Sequence, residues 1–514
     1  MSRKNGGIIG PANTPVGGLF TGVAGGVWRM NDVLNFVSNS QWPSTPKSID
    51  NSLRFNDGSS DYLSFTPSSA PTSSRIATIS FWFKLSAIGT NFNFFSANQS
   101  GLSNPASFKI LLRDSNGRLE LQQDDGSAGN DFSLRTNQLF RDSSAWYHLV
   151  AAYDTTQGTA SDRIKLYING SQVTSFSQEN YPTQNLDLWL GDTDAHNVGR
   201  DVAYSASYYD GYMAEFVYID GQQLTPSSFG ETDSTTDIWK PKKIGTFSSA
   251  GTNSFYLDFK DSSSVGKDVS GNGNNFTANN LTSIDQSTDT CVENFATMNP
   301  LIYNTSTSVV FAEGNLQVAT TDSAIFGSVS TIGASSGKWY MEIKPTQIQN
   351  KMALGVTAQA TEDARSNNRP GDGAYSAGIR SSGDAKLNGS SESGSWDSFT
   401  TSDIVGIALD LDNNKLYFSK NGTFMNSGDP TSGSTGTGAI SLTDPASTTD
   451  GFYFFAFGDP GAGSGTANIA QFNFGNPPFS ISSGNSDANG FGNFEYSVPS
   501  GYYALNTSNL NTYG

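Results

Sequence analysis

Two hairpin patterns constrain this chain more than any other feature of its sequence. Residues 162–173 read DRIKLYINGSQV, and residues 404–424 read IVGIALDLDNNKLYFSKNGTF. In both, apolar and polar residues alternate up to a turn of Asn, Asp or Gly residues, and the alternation then resumes. Because successive side chains of a strand point to opposite faces, each stretch predicts antiparallel strands with one buried face.

The composition is typical of a large β-rich structural protein. The chain has 514 residues, too many for one core, and only 15% of them are charged, so Ser, Thr, Asn, Gln and Gly must supply most of the polar surface. The net charge of −18 argues against nucleic acid as a partner, because like charges repel. No apolar run approaches the roughly 18 residues of a membrane span, so we expect no membrane insertion.

The chain has a single cysteine, Cys291, which cannot form an internal disulfide. The first residues lack the continuous apolar segment of a secretory signal. Both features favour folding and assembly in a reducing cytoplasm.

Composition and turn signals divide the chain into five regions. They are an N-terminal arm (1–47), a first sandwich (48–241), a connector (242–300), a second sandwich (301–480) and a C-terminal strand or arm (481–514). The arm is rich in Gly and Pro yet carries Trp28 and Trp42, which a free tail would not need. We expect both tryptophans to make assembly contacts on a neighbouring subunit, and docking on the chain's own first domain is the alternative.

The first sandwich resembles the laminin-G-like, concanavalin-A-like family. The resemblance rests on the segments LRFNDGSSDYLSF, ATISFWFKL, WYHLVAAYD, DRIKLYINGSQV and GYMAEFVYIDGQQL, and it covers roughly residues 50–230. It implies a fold more than a function, because this fold supports many unrelated activities.

The second sandwich resembles a SPRY domain, itself a concanavalin-A-like sandwich used for protein recognition. The segments GKWYMEIKP, ALGVTA, DIVGIALDLDNNKLYFSKNGTF, FYFFAFGD and FNFGNPPF carry this resemblance. Together the two resemblances predict an all-β chain with two antiparallel concanavalin-A-like jelly-roll β-sandwiches behind a Gly/Pro-rich N-terminal arm.

The sequence provides little for catalysis. Its two histidines, His148 and His196, fall in a strand and a loop with no spacing that links them to a nucleophile or to zinc. Asp410 and Asp412 have the period-two spacing of a glycosidase carboxylate pair, but turn chemistry explains Asp412 better. We therefore predict no catalytic residue and no enzyme.

Two further sets of residues are candidates for binding. The laminin-G-like resemblance implies that a calcium ion can bind at the sandwich rim, and Asp192 and Asp194 offer suitable hard oxygen ligands. Tyr204, Tyr208, Tyr209 and Tyr212 cluster in AYSASYYDGY, where exposed rings would suit a sugar or a protein contact. An inert, self-packed loop is the alternative for this cluster.

The whole arrangement resembles structural proteins of tailed bacteriophages. The N-terminal NGGIIGPANTP, GVWRMNDV and WP segments, followed by the two modules, carry the resemblance. It implies a virion protein assembled in the host cytoplasm, most simply a homo-oligomeric tail fibre or appendage subunit. The arm would bind other virion proteins, and the sandwiches would recognise a glycan or protein of the host surface.

Two other functions are also compatible with the sequence. One is an architectural subunit, a capsid decoration or tail adaptor, whose sandwiches only pack on neighbouring virion proteins. The other is a glycan depolymerase, which should shorten a polysaccharide and lose that activity with Asp410→Asn.

Overall fold

We describe the fold from a computed structural model of the chain. The structure describes residues 49–89, 91–100, 106–113, 116–126, 130–234, 236–245, 250–303, 309–320, 326–349, 351–459 and 468–514. The arm 1–47, with Trp28 and Trp42, lies outside the described residues. Over the described ranges the prediction of an all-β protein with antiparallel sandwiches is confirmed.

The strands of the first half are β1 (Ser52–Phe55), β2 (Tyr62–Phe65), β3 (Ile76–Leu85), β4 (Phe92–Gln99), β5 (Ala106–Arg113), β6 (Arg118–Asp124), β7 (Asn130–Leu139), β8 (Trp146–Asp154), β9 (Ile164–Ile168), β10 (Ser171–Gln172), β11 (Phe176–Asn180), β12 (His196–Val198), β13 (Gly211–Asp220), β14 (Gly230–Thr232), β15 (Trp239–Pro241), β16 (Phe255–Leu257), β17 (Thr277–Asn279) and β18 (Gln286–Ser287). The strands of the second half are β19 (Val309–Ala312), β20 (Gln317–Thr320), β21 (Phe326–Val329), β22 (Lys338–Gln347), β23 (Ala353–Thr357), β24 (Ser376–Arg380), β25 (Ala385–Leu387), β26 (Ser390–Ser391), β27 (Val405–Asp410), β28 (Lys415–Lys420), β29 (Thr423–Phe424), β30 (Ile440–Ser441), β31 (Phe454–Gly458), β32 (Asn468–Asn473) and β33 (Tyr503–Ala504). The α-helical segments are α1 (Ala160–Arg163), α2 (Ala360–Ser366) and α3 (Thr507–Tyr513).

The first sandwich packs two large sheets face to face. Sheet A has the order β10-β9-β8-β3-β13-β1-β18, with β16 also pairing with β13, and sheet B has the order β11-β7-β6-β5-β4-β12-β2-β17. Their facing side chains are apolar and include many aromatic rings, such as Phe81 stacked on Phe216 with 4.9 Å between ring centroids. The alternation read from the sequence places these rings between the sheets, where their burial stabilises the fold.

The segment 242–300 is built into the first sandwich. It supplies β16 to sheet A, β17 to sheet B and β18 to the edge of sheet A. Phe276 packs back on the core, 4.7 Å from the ring centroid of Phe255. A segment expected to connect two domains therefore completes both sheets of one of them.

The second sandwich also has two sheets. Sheet C has the order β19-β20-β32-β22-β27-β28-β29, joined by β30 and β33, and sheet D has the order β21-β31-β23-β24-β25-β26. The C-terminal segment folds over sheet C, with β33 parallel to β22. There the buried Glu342 carboxylate accepts hydrogen bonds from the backbone N–H groups of Glu495 (2.9 Å) and Tyr496 (2.8 Å).

Both hairpin predictions are confirmed. Strands β9 and β10 pair across Asn169 and Gly170, which have φ of 47° and 79°. Strands β28 and β29 pair across Asn421 and Gly422, which have φ of 50° and 79°. Two successive positive φ values give a turn whose twist matches that of the strands, which explains the Asn-Gly pairs.

Buried polar contacts join the two sandwiches. A turn of the second sandwich reaches the first, where the Tyr212 hydroxyl donates to the Gly314 carbonyl (2.8 Å) and the Asn315 amide donates to the Ser86 carbonyl (2.8 Å). Beside them the Lys84 ammonium donates to a carboxylate oxygen of Asp289 (2.8 Å). We call this contact region the seam.

Candidate functional site

A row of polar side chains crosses the outer face of sheet B. Neighbouring members stand opposite each other in the strand register, from β7 through β6, β5, β4 and β12 to β2. The row consists of Ser133, Gln122, Lys109, Ser96, Asn197 and Ser64. At about 4.8 Å per strand it spans about 24 Å, and because apolar neighbours along the strands enter the core, it faces outward.

The polar row holds a loop of residues 200–208, which we call the tyrosine loop. The Ser96 hydroxyl donates to the Arg200 carbonyl (2.7 Å) and accepts from the Val202 N–H (2.9 Å). The Lys109 ammonium forms a salt bridge with Asp201 (2.8 Å). A loop fixed by these bonds presents its side chains in a set geometry, which lowers the entropy lost on binding.

Two aromatic rings at the tyrosine loop lie beside cations, and a third ring lies next to one of them. Tyr204 is 60% exposed, and the Lys109 ammonium lies 5.0 Å from its ring centroid. The Arg200 guanidinium lies 3.7 Å from the centroid of Tyr62, whose ring is 6.2 Å from that of Tyr208. Such cation–π pairs hold the rings in place while leaving the exposed face of Tyr204 available to a ligand.

Asn197 links the polar row to this aromatic group. Its side-chain oxygen accepts hydrogen bonds from Arg200 Nη2 (2.9 Å) and Nε (3.1 Å) once the amide takes the orientation that satisfies its neighbours. The contact fixes the guanidinium that lies over Tyr62.

The expectation that all four predicted tyrosines are exposed is wrong for Tyr209 and Tyr212. Both are fully buried. The Tyr209 hydroxyl donates to the Lys84 carbonyl (2.8 Å), and Tyr212 lies in the seam on Gly314. Burial raises the pKa of both phenols well above the usual value. Their neighbours across the sheet and in the second sandwich cover them, which leaves Tyr204 and Tyr208 as the surface members.

A second charged group lies on the same face of sheet B. The fully buried Glu120 carboxylate accepts from Ser133 Oγ (2.5 Å), Arg113 Nε (2.8 Å) and Arg135 Nε (3.2 Å). We call Arg113 and Arg135 the arginine pair. Their side chains are 35% and 24% exposed, so each guanidinium is anchored at one edge and reaches solvent at another.

The two predicted calcium ligands, Asp192 and Asp194, both accept hydrogen bonds from backbone N–H groups. The Asp192 carboxylate accepts from the Thr193 N–H (2.7 Å), and that of Asp194 accepts from the Ser100 N–H (2.8 Å). Among the residues that the structure describes, no group of three His, Cys, Asp or Glu side chains could hold a metal ion. A calcium ion at Asp192 and Asp194 therefore stays a prediction.

His196 stabilises this rim and lies in β12 rather than in the loop expected from the sequence. Its Nε2 accepts from the Gly191 N–H (2.9 Å), so Nδ1 carries the proton and donates to the Asp194 carbonyl (2.8 Å). Burial lowers the pKa of His196 to about 4, and the imidazole is neutral at pH 7.

The remaining titratable candidates have structural partners. His148 is buried in β8, where its Nε2 lies 2.9 Å from Ser80 Oγ and its Nδ1 accepts from the Trp239 indole N–H (3.0 Å). Asp410 is fully buried and forms a salt bridge with Lys338 (2.9 Å).

Sequence reasoning missed Tyr62, Arg200 and the arginine pair. Tyr62 and Arg200 are 138 positions apart and meet because β12 pairs with β2. Arg113 and Arg135 meet because β6 lies between their strands and supplies Glu120. Alternation within one strand predicts which face a residue takes but not which strand lies next to it.

Comparison with known proteins identifies two domains. Residues 57–228 match the Concanavalin A-like lectin/glucanases superfamily in its laminin-G-like form, and residues 338–437 match the SPRY domain. The chain thus contains a laminin-G-like domain and a SPRY domain. No curated protein matches the sequence. No helix among the described residues is long and apolar enough to cross a membrane.

Several solved structures are similar to parts of the chain. The SPRY domain of human HERC1 has 14% identity and a TM-score of 0.26, over 34% of this chain and 96% of that one. A putative carbohydrate binding protein from Bacteroides ovatus has 16% identity and a TM-score of 0.28, over 46% and 60%. A domain of an extracellular arabinanase from Geobacillus stearothermophilus, in complex with arabinotriose, has 24% identity and a TM-score of 0.23, over 30% and 65%.

Proposed function

We propose that this protein is a non-enzymatic virion protein of a tailed bacteriophage, a tail fibre or appendage subunit that recognises a glycan on the host surface. The contact surface is the tyrosine loop, with Tyr204 and Tyr208 as the rings that meet the sugar. The N-terminal arm would attach the subunit to other virion proteins.

The observation that carries the glycan proposal is the exposed ring of Tyr204 on a pinned loop. A ligand that covers an aromatic ring that is 60% exposed removes apolar surface from water, which favours binding. A flat ring beside ammonium, guanidinium and hydroxyl groups suits a pyranose, which has apolar C–H faces and polar edges. A lectin-type domain and a SPRY domain in one chain are consistent with a glycan-binding function.

The test is binding of the purified chain to an array of bacterial surface polysaccharides. Wild type should bind at least one polysaccharide, and Tyr204→Ala should weaken that binding at least about fivefold, which corresponds to about 1 kcal/mol of lost contact energy. Phe452→Ala is the matched control, since it removes a ring that is 47% exposed in the second sandwich. Equal binding by wild type and Tyr204→Ala would refute this site.

The same experiment separates the other functions. A protein that binds emptied phage particles and no polysaccharide is an architectural subunit. Release of shortened chains from a bound polysaccharide would identify a depolymerase.

A further inference from the structure

We infer that the glycan recognised on sheet B is acidic, a polysaccharide that carries carboxylate or sulfate groups, and that the arginine pair binds these groups. The inference rests on the proposed glycan-binding function and assigns its ligand class. It gives Arg113 and Arg135 a ligand contact in addition to their contact with Glu120.

The first observation is local charge. The whole chain has 29 Lys and Arg against 47 Asp and Glu. The outward positions of β5 and β6 carry Lys109, Arg113 and Arg118 against Glu120 and Asp124, and β7 adds the outward Arg135. With Asp201 of the tyrosine loop, which pairs with Lys109, four basic side chains meet three acidic ones, so this part of an acidic protein keeps a small excess of positive charge that favours anions.

The second observation is the register of two arginines. Arg113 stands directly opposite Arg118 on the neighbouring strand. Like charges in directly opposed positions destabilise a sheet. Glu120 offsets this repulsion by accepting from Arg113 Nε, and the register still places two basic side chains next to each other at this end of β5 and β6.

The third observation is preorganisation. Glu120 is buried and holds both guanidiniums through their Nε atoms, at 2.8 and 3.2 Å. Arginine N–H groups fixed in a plane match carboxylate and sulfate oxygens in pairs. Because Arg113 and Arg135 are partly exposed, the remaining edges of both guanidiniums can face a ligand.

The arginine pair and the tyrosine loop are close enough for one ligand. Lys109, which lies under Tyr204, and Arg113 share one face of β5 four residues apart, a distance of about 13 Å. A polysaccharide chain several sugars long can cover this distance. One ligand would then place a sugar ring on Tyr204 and an anionic group on Arg113.

The experiment measures binding to paired polymers that differ in charge. Polygalacturonate is compared with its carboxyl-reduced form, and dextran sulfate with dextran, which separates carboxylate from sulfate ester recognition. The variants are Arg113→Gln, which leaves Arg135 to pair with Glu120, and the triple variant R113Q/E120Q/R135Q, which leaves no buried carboxylate unpaired. Lys267→Gln is the control, since it lowers the net charge by one unit, as do both variants. Lys267 is 52% exposed and lies near β17, at the other edge of sheet B from the arginine pair.

We expect wild type to bind at least one acidic polymer at least about tenfold more tightly than its neutral partner, with an affinity that falls as salt rises. Arg113→Gln and the triple variant should each lose about tenfold or more, while Lys267→Gln should not. Circular dichroism melting curves show whether each variant is folded.

Other outcomes overturn the inference. Tyr204-dependent binding of the neutral polymers as tightly as the acidic ones would leave the proposed function intact and refute the acidic ligand. Binding that Lys267→Gln weakens as much as Arg113→Gln would reveal a general charge effect. Equal affinity for single-stranded DNA would show that the arginines do not select a glycan. Failure to bind any acidic polymer would refute the inference. Binding to the polysaccharide array tests the proposed function separately.

Discussion

Replacing Lys84 by Met should destabilise the first sandwich by about 3–5 kcal/mol, the usual cost of leaving one partner of a buried ion pair alone. Lys84 is 1% exposed, and its ammonium donates to Asp289 (2.8 Å), the Asn294 side chain (2.7 Å) and the Phe295 carbonyl (3.3 Å). Methionine retains most of the apolar stem. The charge and its three hydrogen bonds are what the substitution removes.

The size of the effect follows from what remains around Asp289. This carboxylate is fully buried, and in the variant its described side-chain donor is the Trp146 indole N–H at 3.0 Å. This indole and the backbone N–H of Phe295 do not replace the solvation of a buried charge. The double variant K84M/D289N removes both charges, so we expect it to be more stable than Lys84→Met alone.

The pH dependence provides a second readout with a defined sign. Burial raises the pKa of Asp289, and the Lys84 charge opposes this rise. Without Lys84 the folded-state pKa rises further, so the folded variant takes up a proton at a higher pH than the unfolded chain does. Acid therefore favours the folded variant, and its deficit relative to wild type should shrink between pH 7.5 and pH 5.

Urea unfolding followed by tryptophan fluorescence and circular dichroism measures these differences. The K84M/D289N variant at both pH values is the control, since it has no carboxylate at position 289. A deficit below about 1 kcal/mol for Lys84→Met at pH 7.5 would refute the reasoning. So would a double variant no more stable than the single one.

Three further predictions concern the first sandwich. His196 has a folded-state pKa of about 4 against 6.5 unfolded, so its neutral form should contribute about 3 kcal/mol to the free energy of unfolding. This contribution is present above pH 6.5 and is lost as the pH falls to 4. The stabilities of wild type and His196→Asn, measured by urea unfolding, should therefore converge across this range. Gly170→Ala should cost about 1–3 kcal/mol of stability in the same assay, because φ is +79° and the new methyl would lie 2.5 Å from an indole ring. Gly158→Ala is the control: its new methyl has open space around it, and it should change stability by less than about 0.5 kcal/mol. Tyr209→Phe should cost about 1–2 kcal/mol by leaving two buried carbonyls without their donor, and array binding should show no loss of affinity for polysaccharide.

The sequence predicts what is local in this fold and misses what depends on distant pairing. The Asn169-Gly170 turn is predicted because the two residues that need positive φ are adjacent in sequence. The burial of Tyr212 is not, because the turn that covers it comes from residue 314, in the other sandwich. The same holds for the segment 242–300, because its sequence does not show which sheet edges its short strands complete.

The seam and the candidate site lie on opposite sides of the first sandwich, and this arrangement bears on function. Arg54, Lys84 and Tyr212 alternate with core residues on the strands of sheet A, so their side chains leave its outer face, where the second sandwich and its preceding segment dock. The polar row leaves the outer face of sheet B, on the far side of a core about 10 Å thick. The second sandwich is therefore fixed where it does not cover the tyrosine loop. For a subunit that displays a binding surface, a buried and polar seam sets the direction in which that surface points, because each of its hydrogen bonds is satisfied in one docked orientation.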